Sequence, residues 1–137
     1  MYRVVVLLVL LVGVAVVSPA AGKEGVQARI ATPIPRESAP GTRVTVVWTL
    51  TTVDDGKRIP FGAGAVFVRL FGPGDARTPR AFATELERGR YRARPRIPAG
   101  GVRRVVIGLM GIRCDGPGQP GCVPAPALFP VVGKVFR

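Results

Sequence analysis

The sequence predicts an all-β fold, an antiparallel β-sandwich of six to seven short strands, and three observations predict it. Polar and apolar residues alternate over stretches of four to ten residues. Clusters of Gly, Pro and Asp separate these stretches at about ten-residue spacing. No segment sustains the 3.6-residue period of an amphipathic helix. At 137 residues the chain fits one domain, with about 70% of its unfolded surface buried on folding. The domain is expected over residues 22–137, behind a leader over residues 1–21.

The leader, MYRVVVLLVLLVGVAVVSPAA, opens on Arg3, runs apolar over residues 4–17 and ends on Ser18, Pro19, Ala20 and Ala21. That three-part layout is a secretory signal peptide, cut after Ala20 or Ala21. An uncut membrane anchor is the alternative, although 14 apolar residues fall short of the ~20 that span a bilayer. In both cases the domain is expected outside the cytoplasm, secreted, periplasmic or held at the membrane by its N-terminal segment.

Residues 26–32 are the first expected strand. They stop at PIPRESAPG, whose Pro33, Pro35 and Pro40 exclude a helix or a central strand. In TRVTVVWTLTTV, the side chains of Val44, Val46, Trp48 and Leu50 share one face, and Arg43, Thr45, Val47, Thr49 and Thr51 share the other. Trp48 is therefore the leading core candidate. The DDGK that follows, residues 54–57, is turn chemistry. AVFVRLF, residues 65–71, is apolar on both faces, as a central strand is, and ends at the turn GPGD. RAFATEL, residues 80–86, is a weaker strand that leads through Gly89 into ERGRYRARPRIPAGG. VRRVVIGLMGI, residues 102–112, is the next strand. A loop with two cysteines interrupts, and ALFPVVGKVF, residues 127–136, makes a last, shorter strand broken by Pro130.

Charge is the feature that bears most on function. The chain carries a net +12, and all but Lys23, Lys57 and Lys134 of its 20 basic residues are arginine. Loss of the leader removes Arg3 and no acid. A balance this basic favours anionic surfaces. Arginine recurs at every second position through Arg88, Arg90, Arg92, Arg94 and Arg96. Because successive strand side chains point to opposite faces, the five guanidinium groups share one side, with Tyr91 on the other. The row is either the solvated back of a half-buried strand, charged against edge pairing, or a stripe for phosphate-bearing anions. Arg103 and Arg104 extend the stripe if the next strand pairs as a hairpin.

Cys114 and Cys122 flank DGPGQPG. In an exported chain this pair is a disulfide closing a small loop, worth about 2 kcal/mol, so its effect is local. The chain has no histidine, and these are its only thiols, so no four-ligand zinc site can be assembled. Met110 is the one methionine after the leader, too little for a soft copper site. Ser38 is the one serine there, and with neither histidine nor asparagine in the chain no nucleophile–base triad exists. Asp54 and Asp55, the only adjacent acids, fall in a turn. The glycines of FGAGA, PAGG and the two GPG segments read as turns or bends, since no helix follows to form a phosphate-cradling loop. Catalytic residues, metal ligands and cofactors are therefore not expected.

GTRVTVVWTL, FGAGAVFVRLFGPGD and GRYRARPRIPAGGVRRVVIGL together resemble the small immunoglobulin-like sandwich domains of exported bacterial proteins, of the YtkA-like and FixH-like type. The resemblance covers residues 26–112 and implies the immunoglobulin-like form of the sandwich. Gly89, Tyr91 and Ala93 match its Gly-x-Tyr-x-Ala strand, which implies that Tyr91 packs at a strand corner. Some domains of this type serve copper handling or membrane-complex assembly, and the ligands such roles need are missing here. The expectation is a non-catalytic envelope module with a structural or protein-binding role and a protein partner. The alternative is a cationic module that binds anionic lipid or wall polymer through its arginines. Export makes nucleic acid an unexpected partner.

Overall fold

The computed structural model describes residues 25–116 and 121–137. The leader over residues 1–21 and the middle of the cysteine loop lie outside the described residues. Ten strands are present among these: β1 (Gln27–Ile30), β2 (Val46–Asp54), β3 (Lys57–Pro60), β4 (Val66–Phe71), β5 (Ala81–Phe82), β6 (Thr84–Glu87), β7 (Arg90–Ala93), β8 (Arg104–Cys114), β9 (Cys122–Phe129) and β10 (Val131–Val132). One sheet has the order β10-β1-β2-β7-β6, with β3 paired to β2, and the other has the order β5-β4-β8-β9.

Alternation along the strands directs one face of each sheet to a common core. Ala28, Val46, Trp48, Leu50 and Tyr91 from the first sheet join Val66, Val68, Leu70, Ile107 and Phe129 from the second. Val44 packs partly buried against them. Trp48 and Tyr91 face each other across β2 and β7, their rings stacked with centroids 6.0 Å apart. The Trp48 indole N–H has no hydrogen-bond partner in this core. An orphaned donor costs about 1–3 kcal/mol. Burying roughly 200 Å² of ring at about 25 cal/mol per Å² contributes about 5 kcal/mol, so the ring outweighs the donor.

Four details depart from the sequence expectations. First, β1 and β10 run parallel, Ala28 facing Val131, so the first sheet is mixed rather than wholly antiparallel. Pro130 does break the final strand, and the break is a change of sheet: β9 belongs to the second, β10 to the first. Second, the DDGK turn, with positive φ at Asp55 and Gly56, leads straight into β3. That strand is exposed throughout and so shows no alternation. Third, RAFATEL is two strands, since the chain crosses between sheets at Ala83. Fourth, pairing extends through the cysteines, and β9 contains Pro124 and Pro126. Proline is tolerated because β9 is an edge, where the open side requires no amide donors.

Candidate binding surfaces

The arginine row lies on the outer face of the first sheet. Arg90 and Arg92 of β7 are exposed, Tyr91 and Ala93 between them are buried, and the alternation continues past the strand through Arg94 and Arg96. Arg88 is exposed in the preceding turn. Two arginines outside the sequence-predicted set join the row. Arg29 lies across Thr49 from Arg90, and Arg43 lies opposite Arg96. Like charges directly opposite repel, and these two send their guanidinium groups to backbone instead. Arg43 donates to the Arg94 carbonyl at 3.0 Å and Arg96 donates to the Gly41 carbonyl at 3.2 Å. Among the described residues the single ion pair is Arg90 with Glu87 at 3.4 Å, exposed at both ends and worth at most about 1 kcal/mol.

The turn into β7 is held by Gly89 and Tyr91. Gly89 has φ +78°, and a Cβ there would stand 2.9 Å from the Leu50 carbonyl oxygen, so only glycine fits. The Tyr91 hydroxyl accepts a hydrogen bond from the Ala63 amide at 2.8 Å, and Glu85 Oε1 lies 3.2 Å away. Burial pushes the Tyr91 hydroxyl above the ordinary tyrosine pKa, opposed by the Ala63 hydrogen bond and reinforced by the Glu85 charge. Glu85 Oε1 also accepts from the Gly89 amide at 3.1 Å. Its carboxylate is thus engaged with backbone and phenol rather than neutralising the row.

Arg103 and Arg104 do not extend that row. β8 pairs with β4 and β9, not with β7, because the GG turn after Pro98 carries the chain into the other sheet. Arg104 instead projects from the outer face of the second sheet, opposite Phe71, with its guanidinium 4.3 Å from the ring centroid. Arg69 lies over the same ring at 5.5 Å and Arg80 over Phe67 at 5.2 Å. Arg69 also donates from Nε to the Thr78 carbonyl at 2.7 Å. Its pKa is lowered, first by burial and then by the charges of Arg77 and Arg80.

Register explains why this outer face is apolar. Phe82, Phe67, Gly108 and Leu128 form one row across β5, β4, β8 and β9, and Met110 pairs with Pro126 in the next outward row. Phe67 is only 1% exposed, packed edge-on to Phe82, whereas Phe82 and Leu128 are 58% and 49% exposed. Gly108 is required beneath them, since a Cβ would meet the Ala127 carbonyl oxygen at 2.5 Å and Phe67 Cζ at 3.0 Å. Sequence reasoning took the two-faced apolarity of residues 65–71 as the mark of a central strand, which β4 is, and missed the outer face. Its signal was Phe67, Arg69 and Phe71 at one parity.

At the far end of β8 and β9, Cys114 and Cys122 are direct cross-strand partners joined by a disulfide, Cα atoms 4.0 Å apart. A disulfide suits an oxidising, extracytoplasmic compartment. Among the described residues no helix is long and apolar enough to cross a membrane, and no group of three His, Cys, Asp or Glu side chains could hold a metal ion. Comparison with protein-family models, curated proteins and solved structures finds no match to this chain.

Proposed function

We propose that the chain is an exported, non-catalytic immunoglobulin-like β-sandwich module of the bacterial cell envelope, which works by holding a partner against the outer face of its second sheet. One observation carries this reading. Phe67, Phe71, Phe82, Val106, Met110 and Leu128 occupy outward positions where a solvated sheet face alternates to polar residues. The leader-like N-terminus and the disulfide support export.

A photo-crosslinking residue placed at Leu128 in living cells tests the reading, with the same residue at Thr49 on the first sheet as the comparison. Adducts from Leu128 and few from Thr49 are expected. Equal yields from both positions, or none from either, would overturn it.

The second reading, a stripe of Arg88, Arg90, Arg92, Arg94 and Arg96 gripping anionic lipid or wall polymer, is supported by the added charge of Arg29 and Arg43. Replacing Arg90, Arg92 and Arg94 together by Ser tests it, through the salt-sensitive binding that the stripe requires.

A further inference from the structure

We infer that the outer face of the second sheet docks on an anionic phospholipid surface, its arginines taking headgroup phosphates while its exposed apolar side chains enter the interface. This rests on the reading of that face as the binding surface. Arg69, Arg77, Arg80 and Arg104 line adjoining shallow clefts on it. None of the four is in an ion pair among the described residues, and Asp75, beside Arg77 and Arg104, is the one acid lining those clefts. Folding has therefore gathered mutually repelling charges, and a multivalent anion relieves that repulsion.

The phenylalanines decide what kind of anion. Phe71 lies beneath Arg69 and Arg104, and Phe67 beneath Arg80. Arg80 and Arg104, lying over their rings, keep their N–H edges free for the paired hydrogen bonds that suit phosphate, whereas Arg69 gives its Nε–H to the Thr78 carbonyl and offers only its terminal N–H groups. Around them Phe82, Leu128 and, two outward rows beyond, Ile112 are 58%, 49% and 76% exposed. Water penalises that exposure. A soluble polyanion or free phosphate gives those side chains nothing to enter, and a second copy of the chain would bring four more arginines against the first four. A lipid surface meets both requirements, because interfacial residues enter about 5–10 Å into the headgroup and acyl boundary.

The test is sedimentation of the purified exported form with vesicles of phosphatidylcholine, alone or with phosphatidylglycerol. Partition onto the phosphatidylglycerol vesicles only, falling as salt rises, is expected. Arg80→Ser with Arg104→Ser lowers it about fivefold for each arginine removed, and Phe82→Ser with Leu128→Ser lowers it at least about tenfold. Arg90→Ser, Arg92→Ser and Arg94→Ser on the opposite face leave it within about twofold, since that face lies beyond a screening length of about 10 Å. A Leu128→Trp variant, read against the buried Trp48, shifts to shorter emission wavelength on the same vesicles.

Binding that survives loss of Phe82 and Leu128, or that falls equally with the opposite arginines, overturns the inference in favour of plain charge attraction. So does Leu128 crosslinking to a protein without partition onto vesicles, although that outcome leaves the binding face standing. Crosslinks from neither sheet remove the binding face itself.

Discussion

The two sheets use the same residue on their outer faces to opposite ends. On the first, Arg90 and Arg92 stand among Arg29, Thr49 and half-buried Val47, and the guanidinium groups of Arg43 and Arg96 bond to nearby carbonyls. On the second, Arg69, Arg80 and Arg104 lie over phenylalanine rings amid exposed leucine, isoleucine and phenylalanine. A count of charges does not separate the two. The side chains interleaved with the charges do, because they set whether a guanidinium rests on water and backbone or on apolar surface that a partner can cover.

The sharpest way to break that contrast is at its most buried points. Phe67→Ala is expected to destabilise the fold by about 3–5 kcal/mol, read from urea unfolding, because this outward side chain is as buried as the core. A loss under about 1 kcal/mol would show that the second face is merely a solvated surface. Gly108→Ala follows at about 1–3 kcal/mol, the cost of overpacking against Ala127 and Phe67; a neutral outcome would mean that the outer row repacks freely.

Tyr91→Phe tests the support under the first face. Loss of the hydroxyl is expected to cost about 1 kcal/mol at neutral pH. Because burial raises the Tyr91 pKa in the folded state, the phenol's contribution is complete below the ordinary value of about 10 and is lost as pH climbs above it. Wild-type unfolding midpoints should therefore fall above about pH 10 more steeply than those of the variant, and parallel curves would count against the buried phenol. Smallest of all, Arg92→Ser should change stability by less than about 0.5 kcal/mol. A larger loss in thermal unfolding would mean that the first face is more than solvated.

Much of this is legible in the amino-acid sequence itself. The alternation of Val46, Trp48 and Leu50 and of Tyr91 and Ala93 marks their burial, since a period of two has one inward face in any half-buried sheet. The disulfide follows from two cysteines in a chain read as exported. Partner choice among strands is not local, so nothing near Arg104 indicates that β8 leaves β7 and joins β4. The crossing at Ala83 is hidden for the same reason. β3 escapes notice because an exposed strand has no inward face to pattern. The outer face of the second sheet needs both kinds of information: the parity of Phe67, Arg69 and Phe71, and the cross-strand neighbours that topology brings beside them.

The parallel pairing of β1 with β10, extended by the bridge between Ile34 and Phe136, has a consequence for how the protein is made. Residue 28 waits for residue 131, a separation of about a hundred positions whose closure entropy is paid late. Whether the polypeptide emerges from a ribosome or threads a translocation pore, its first sheet stays open along one side until the opposite end has arrived. Vectorial synthesis thus keeps the chain pliable while it is still in transit.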